Sequence, residues 1–131
     1  MIMMRDLNKG IIGLGVDIVE IDRVKKAYER FDEKFLIRIF SSREQEYLPK
    51  APRLFSFLAG RFAAKEAVAK ALGTGIGKVT WTHIEIIPES GGRPGVVLSG
   101  YALGAAQQMG AEHVHLSISH CRDYAVASAL V

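Results

Sequence analysis

The residues best suited to chemistry lie in one segment, from Arg61 to Lys70. Arg61 and Lys65 are four residues apart, as are Glu66 and Lys70, so each pair shares a helix face. The side chains between Glu66 and Lys70 are Ala and Val, small enough for a ligand to approach. Magnesium commonly uses one or two carboxylates together with substrate phosphate oxygens. The spacing therefore favours a phosphate group with its divalent cation, while a plain surface ion pair between Glu66 and Lys70 stays open.

A second candidate carboxylate, Asp17, lies in a segment that alternates between apolar residues and glycine. The alternation predicts a strand over residues 11–19, because side chains at every second position share a face. We expect the apolar set to face the core and Asp17 to lie on the opposite face, kept nearly bare by two glycines. The apolar set is Ile12, Leu14, Val16 and Ile18, and the glycines are Gly13 and Gly15.

Three further clusters suit chemistry less well. The glycine-rich segment 73–77 follows a helix instead of preceding one, so its amides lack the N-terminal dipole that binds phosphate. His113, His115 and His120 suggest zinc, but the first two are two apart on a strand with no obvious third ligand, so we expect surface or hydrogen-bonded histidines. Cys121 follows His120 directly, but adjacency does not position a base for a nucleophile, and a Cys–His enzyme is rejected.

The composition is that of one ordinary domain. The chain has 131 residues, of which 49% are hydrophobic and 24% charged. We expect a single domain over residues 11–131 after a short extension at residues 1–10. The single Cys121 excludes an internal disulfide framework and favours a reducing, cytoplasmic location. The apolar runs are too short to span a membrane, and the start of the chain has no signal-peptide pattern.

The basic charge is concentrated in the middle of the chain. The formal net charge is +3, but residues 22–78 carry thirteen basic and seven acidic groups. This excess favours either a positive face for an anionic partner or ordinary solvated helix faces. A nucleic-acid partner is not expected, because the segment lacks interleaved aromatic residues and contains scattered acidic ones.

One long helix is predicted to carry the segment from Arg61 to Lys70. Apolar residues at helical spacing predict it over about residues 54–72, and Gly73 is a natural C-terminal stop. Lys65 falls inside the apolar stripe of this helix. Because conflicts between local pattern and chemistry tend to mark functional positions, Lys65 is a candidate site residue.

Shorter elements complete an α+β pattern, since helices occupy the middle of the chain and strands dominate its second half. Ser41 and Glu44 have the spacing of a capping box, which predicts a short helix there. The other predicted helices cover residues 22–30, 31–40 and 99–109. The predicted strands cover residues 81–87 and 96–98 as a hairpin, then 113–119 and 124–131.

Taken together, these motifs resemble the holo-[acyl-carrier-protein] synthases, the short bacterial-type 4′-phosphopantetheinyl transferases. The resemblance covers residues 11–131 in the family's order. It implies an α+β fold of the 4′-phosphopantetheinyl transferase type, with one long central helix packed on a small antiparallel sheet. The segments that carry it are Gly13 to Arg23, Phe62 to Ala71, Gly73 to Gly75, and Ser117 to His120.

The resemblance implies a magnesium-dependent transferase. Its reaction moves the 4′-phosphopantetheine group of coenzyme A to a serine of apo-acyl-carrier protein and releases adenosine 3′,5′-bisphosphate. It implies that Asp17 and Glu66 bind Mg²⁺, with Mn²⁺ as the alternative ion. Larger relatives have a third acidic ligand where this chain has Val19, so water and pyrophosphate oxygens would complete the shell. Glu66 and a metal-bound water are both candidate bases for the serine proton.

The resemblance also assigns substrate contacts. Lys70 is expected to stabilise the transferring phosphate, and Arg61 and Lys65 to bind phosphate oxygens. Further coenzyme A contacts are expected from Gly92, Arg93, Pro94, Ser119 and His120. The acidic carrier protein is expected to dock on Arg23, Lys26 and Arg30.

Short members of this family are homotrimers with active sites between subunits, and the same is expected here. The alanine face at Ala125, Ala127 and Ala129 is a candidate subunit contact. The alternative function is a non-catalytic module of the same fold that binds coenzyme A or an acidic protein. That alternative would require loss at Asp17, Glu66 or Lys70, and the sequence has all three.

Overall fold

The computed structural model describes residues 10–131, so the predicted N-terminal extension falls almost entirely outside the described residues. The described part is an α+β domain, as the sequence predicts. In chain order its elements are β1 (Leu14–Glu20), α1 (Ile21–Phe31), α2 (Glu33–Ile39), α3 (Ser42–Gln45), α4 (Arg53–Ala71), a 3₁₀ turn (Trp81–His83), β2 (Ile84–Pro88), β3 (Pro94–Leu98), α5 (Gly100–Met109), β4 (His115–His120) and β5 (Tyr124–Leu130).

Two small antiparallel sheets contain all the strands of residues 10–131. The first has the order β1-β5-β4, so the last strand of the chain lies in the middle and joins the first strand to the fourth. The second is the predicted hairpin of β2 and β3, paired from Ile84 opposite Leu98 to Pro88 opposite Pro94. No helix within the described residues is long and apolar enough to cross a membrane.

Helix α4 is the centre of the fold and matches its predicted range within one residue at each end. It ends where predicted, because Gly73 adopts a positive φ of 77° and its N–H donates to the Lys70 carbonyl. Its buried side chains are mostly small, which lets the three-stranded sheet approach the helix backbone closely. The buried apolar residues of α4 are Leu58, Ala59, Ala63, Ala64, Ala67, Val68, Ala69 and Ala71.

The prediction for the two faces of β1 is wrong. The face of Gly15 and Asp17 packs on α4, and a Cβ at Gly15 would overlap the carbonyl oxygen of Ala67. The glycines are therefore required by contact between two backbones, not by a bare outer surface. The alternation fixed which residues share a face, but period-2 patterning does not say which face meets a helix of alanines.

The opposite face of the first sheet is open and apolar. Leu14, Val16 and Ile18 are 67%, 56% and 63% exposed in β1. On β5, Val126 and Leu130 lie opposite Ile18 and Leu14 on the same face. The alanines predicted as a subunit contact lie on the other side: Ala125, Ala127 and Ala129 are buried in the core, so that prediction is wrong.

Helices α1 to α3 form a smaller layer over one end of β1 and α4. Val24 of α1 and Ile39 and Phe40 at the end of α2 share a buried cluster with Leu58 of α4. The Ile21 N–H donates to the Asp123 carbonyl and ties the start of α1 to the turn before β5. This layer brings Arg23, Val24 and Ala27 of α1 into one pocket with Asp17 of β1.

Candidate functional site

Asp17 of β1 and Glu66 of α4 line one surface pocket of about 320 Å³. The two carboxylates are 49 residues apart in the chain, and the packing of Gly15 on α4 brings them together. Arg23 and Phe62 line the same pocket. The fold thus joins the two predicted metal ligands with one predicted docking residue.

Glu66 is half-buried, and several neighbours act on its charge. Burial raises the pKa of Glu66, and the nearby Asp17 carboxylate raises it further. The Trp81 indole and the Lys70 ammonium act in the opposite direction and lower this pKa. The Trp81 Nε1–H donates to Glu66 Oε1 at 3.2 Å. One carboxylate oxygen of Glu66 is therefore held by a neutral donor.

Lys70 is bound to Asp17. Its ammonium donates to Asp17 Oδ1 at 3.0 Å and to the Val16 carbonyl at 3.0 Å. The spacing of Lys70 and Glu66 suggested a possible surface pair between them, but the ion pair of Lys70 in this structure is with Asp17. The ammonium is half-exposed and lies at the edge of the carboxylate pair, where a phosphate group could reach it.

The donor set fits a magnesium ion. Two carboxylates facing one open pocket suit a cation that keeps water and substrate oxygens in its shell. Val19, two residues after Asp17, also lines the pocket, and its side chain offers no ligand oxygen. Within residues 10–131 no group of three or more His, Cys, Asp or Glu side chains could form a full protein cage. Asp17 and Glu66 could therefore hold a magnesium ion only together with other oxygen ligands.

Lys65 takes a place that the sequence did not indicate. Its side chain is 0% exposed, and its ammonium donates to Glu44 Oε1 at 2.7 Å. It also donates to the carbonyls of Trp81 at 3.0 Å and Ile84 at 2.7 Å. Burial lowers the pKa of Lys65, and Glu44 opposes that effect. With all three donors used inside the protein, Lys65 is not placed to bind phosphate, in contrast to the expectation.

Glu44 completes this buried group. The predicted capping box is confirmed, since the Ser41 hydroxyl accepts from the Glu44 N–H and Glu44 Oε1 accepts from the Ser41 N–H. The second carboxylate oxygen of Glu44, Oε2, accepts from the Ile86 N–H at 3.0 Å. The sequence identified Glu44 as a cap, but the 21-residue separation from Lys65 concealed the ion pair.

A second pocket, of about 510 Å³, collects most of the predicted coenzyme A contacts. Arg61, Gly92, Arg93, Pro94 and His120 all line it. Arg53 and Phe57 were not predicted but line it as well, and the Arg61 guanidinium lies 4.4 Å from the Phe57 ring centre. Burial lowers the pKa of Arg61, which stays cationic near neutral pH.

Ser119, like Lys65 and Lys70, is a predicted coenzyme A contact that does not line this pocket. It pairs with Val126 on the open face of the sheet, whereas His120 pairs with Ala125 on the face toward α4. Ser119 is not among the residues that line the 510 Å³ pocket. A contact from Ser119 would therefore involve the open face.

The predicted docking residues Arg23, Lys26 and Arg30 follow an i, i+3, i+7 spacing on α1, which places them along one side of the helix. Lys26 forms an exposed pair with Asp22 at 2.9 Å. The Arg30 guanidinium lies 5.1 Å from the Phe31 ring centre.

Trp81 is the main site residue that the sequence analysis missed. It is the only tryptophan of the chain, and it lies in the 3₁₀ turn before β2 instead of in the strand that the sequence predicts from residue 81. Its ring stacks on Phe62, with centres 5.9 Å apart. No helix or strand spacing relates residue 81 to residue 66. The presence of a single tryptophan was therefore the only feature of the sequence that could have pointed to Trp81. His113 and His115, by contrast, lie side by side with ring centres 6.2 Å apart, away from both carboxylates.

Comparison with known proteins shows the family of this chain. The family model of the 4′-phosphopantetheinyl transferase superfamily matches residues 13–129. A holo-[acyl-carrier-protein] synthase of Natranaerobius thermophilus is 53% identical over 121 residues, 92% of this chain and 97% of the relative.

Two solved structures extend the comparison. A holo-[acyl-carrier-protein] synthase of Bacillus anthracis, in complex with CoA (3′,5′-ADP), has a TM-score of 0.75 at 42% identity and covers 92% of this chain and 95% of its own. The holo-[acyl-carrier-protein] synthase of Helicobacter pylori, in complex with coenzyme A, has a TM-score of 0.78 at 33% identity. The match covers 90% of this chain and 99% of that chain. The chain therefore belongs to the holo-[acyl-carrier-protein] synthases of the 4′-phosphopantetheinyl transferase superfamily.

Proposed function

We propose that this enzyme transfers 4′-phosphopantetheine from coenzyme A to a serine of apo-acyl-carrier protein in a magnesium-dependent reaction. The observation that carries the proposal is the meeting of Asp17 and Glu66 in one pocket, with Lys70 paired to Asp17. The resemblance to the family gives these three residues their roles in the reaction. The names of close relatives and their coenzyme A complexes support the same substrates.

The 510 Å³ pocket is the proposed site for the nucleotide end of coenzyme A. Arg53, Arg61 and Arg93 line it together with His120, so it presents several donors to phosphate oxygens. Arg61 is held against Phe57, which fixes its direction at a small entropic cost. Gly92 and Pro94 form the turn that closes one side of the pocket.

Asp17 and Glu66 are the proposed ligands of Mg²⁺. When bound there with the pyrophosphate, the ion would neutralise the negative charge that develops on the leaving group. Lys70 supplies a further positive charge beside Asp17 and is proposed to bind the phosphate that is transferred. Both carboxylates are part of rigid elements, which fixes the site before the substrate arrives.

In the proposed reaction the serine oxygen of the carrier protein forms a bond to the phosphorus next to the pantetheine arm. The bond from that phosphorus to the bridging pyrophosphate oxygen breaks, and adenosine 3′,5′-bisphosphate leaves with the electron pair. The serine proton must pass to a base as the new bond forms. Glu66, which lines the pocket, and water are the two candidate acceptors of this proton.

The carrier protein is proposed to approach along α1. Arg23 lines the Asp17–Glu66 pocket, and Lys26 and Arg30 continue the same side of the helix. Charge pairing of this kind with an acidic helix mainly raises the association rate and sets specificity.

The enzyme is proposed to work as a homotrimer, with the open face of the first sheet as the subunit contact. Leu14, Val16 and Ile18 form an exposed apolar row there, which is costly in a monomer. This replaces the alanine face expected from the sequence. Val16→Glu should reduce the molecular mass found by sedimentation to that of one chain, and an unchanged mass would contradict the contact.

Mass spectrometry of apo-acyl-carrier protein incubated with the enzyme, coenzyme A and Mg²⁺ tests the function. We expect the carrier protein to gain one phosphopantetheine, and Glu66→Gln to abolish that gain. Coenzyme A binding without any transfer, across several carrier proteins, would favour the non-catalytic binding module instead.

A further inference from the structure

We propose that Trp81 is a positioning residue for Glu66: its indole N–H fixes the carboxylate so that the second oxygen faces the pocket for a divalent cation. The proposal rests on the proposed function, because it takes Glu66 as the ligand of that cation. It adds a residue to which neither the resemblance nor the sequence gave a role.

The first observation is the hydrogen bond itself. Trp81 Nε1 donates to Glu66 Oε1 at 3.2 Å across 15 residues of chain. An indole has one donor and no acceptor, so it can hold a carboxylate without taking its charge. A bond to one oxygen limits rotation of the carboxylate group, and Oε2 stays free for another ligand.

The second observation is that the indole ring is held on its faces. It stacks on Phe62 at an interplanar angle of 30°, and Phe62 also lines the Asp17–Glu66 pocket. The Arg38 guanidinium lies 5.6 Å from the indole ring centre. Contacts of this kind fix the direction in which the N–H points.

The third observation is a clamp formed by two consecutive residues of α4. Lys65 donates to the backbone carbonyl of Trp81 at 3.0 Å, and Glu66 accepts from its side chain at 3.2 Å. Lys65 is itself fixed by Glu44 and by the Ile84 carbonyl. The buried Lys65 therefore contributes to the site, because its ammonium fixes the backbone of the turn that contains Trp81.

Groups that orient a metal ligand in this way commonly change metal affinity or activity by 10- to 100-fold when they are removed. Trp81→Phe keeps an aromatic ring on Phe62 but removes the N–H donor. The expected loss is therefore in binding of the cation and in kcat, with coenzyme A binding in EDTA unchanged.

The hydrogen bond can be tested without any metal or substrate. Trp81 is the only tryptophan, so an amide-correlation NMR spectrum contains a single indole N–H signal from the folded chain. Glu66→Gln should move that signal upfield, because a neutral acceptor replaces a charged one. Glu112→Gln, an exposed change remote from the pocket, is the control and should leave it in place. An indole signal that does not respond to Glu66→Gln would overturn the proposal, whether or not the enzyme proves to be a transferase.

The positioning role is tested by Mn²⁺ binding, followed by electron paramagnetic resonance at saturating coenzyme A. Trp81→Phe should weaken the binding of Mn²⁺ about tenfold or more and should change the KM for carrier protein by less than about twofold. Tyr28→Phe, which changes another half-buried ring away from Glu66, should alter neither quantity.

Two results would count against the role. Unchanged Mn²⁺ affinity in a folded Trp81→Phe protein would overturn it. A parallel loss of coenzyme A binding in EDTA would also overturn it, because that pattern indicates general damage to packing. Failure of the wild-type enzyme to bind Mn²⁺ would instead reject the proposed function, and the NMR comparison would still decide the Trp81–Glu66 bond.

Discussion

The Lys70 ammonium lies 3.0 Å from Asp17 Oδ1, so a lysine holds one of the two carboxylates proposed to bind the metal. A cation that binds Asp17 must share or displace that contact. Lys70 therefore neutralises Asp17 in the free enzyme and would be available for phosphate oxygens once a metal ion takes over the carboxylate.

The first prediction concerns Lys70→Met. Loss of a charge that acts on the transferring phosphate should reduce kcat by about 10²- to 10³-fold. Metal affinity should not fall, because Asp17 loses a competing partner. Steady-state kinetics and Mn²⁺ titration of the same preparation check both points, and a variant with weakened Mn²⁺ binding would contradict the competition.

The second prediction concerns the effect of Glu66 on stability. Burial raises the pKa of Glu66 above its ordinary value of 4.5, so the folded state binds more protons than the unfolded state in that range. The contribution of Glu66 to the free energy of unfolding should therefore decrease as the pH rises through that window. Glu66→Gln lacks this loss and should be more stable than wild type at pH 7 in EDTA.

The two proteins should have nearly equal stability once the pH is low enough to protonate Glu66. Urea unfolding in EDTA at several pH values measures the difference. Equal stability of the two proteins at every pH would contradict the prediction, because it would mean that folding does not disfavour the charged form of Glu66.

The third prediction concerns the buried pair of Lys65 and Glu44. Lys65→Met leaves the Glu44 carboxylate buried without its cation, which typically costs about 3–5 kcal/mol. Adding Glu44→Gln removes the unpaired charge and keeps oxygen for the Ile86 N–H, so the double variant should recover part of that loss. Urea unfolding of the two single variants and the double variant gives the coupling free energy between Lys65 and Glu44. Additive changes in the free energy of unfolding would contradict a specific interaction between them.

The sequence predicted the positions of the elements better than the partners of their side chains. Local signals determine the bounds of α4, the stop at Gly73 and the capping box of Ser41, and all three are confirmed. The inner face of β1 depends on its contact with α4, where Gly15 meets Ala67, and a pattern of period 2 contains no such information.

The site divides in the same way. Motif resemblance selected Asp17 and Glu66, and the fold places both in one pocket. A lysine inside an apolar stripe was correctly recognised as unusual, but the same signal fits a ligand contact and a buried ion pair. Only the contact of the Lys65 ammonium with Glu44, on the short helix α3, distinguishes the two. The contact of Trp81 with Glu66 depends on the direction in which the indole points, and a sequence pattern does not specify that direction.

The fourth prediction concerns Gly15→Ala. A methyl group there would overlap the Ala67 carbonyl oxygen, so β1 must move away from α4 at a typical cost of about 1–3 kcal/mol. The movement would carry Asp17 with it and should weaken Mn²⁺ binding as well. Gly104→Ala in α5 meets no atom within 4 Å and should be neutral or slightly stabilising. Thermal unfolding and Mn²⁺ titration compare the two, and a stable Gly15→Ala protein would reject the backbone contact.

The last prediction concerns Arg23, which is both a pocket residue and the first of the docking residues on α1. Arg23→Glu should raise the KM for carrier protein far more than that for coenzyme A, because an acidic partner would meet a like charge. The effect should decrease at high ionic strength, where charges on the surface are screened. Lys78→Glu makes the same charge change at an exposed position outside the Asp17–Glu66 pocket and is the matched control. Equal increases in both KM values for Arg23→Glu would mean that Arg23 supports the pocket as a whole and does not select the carrier protein.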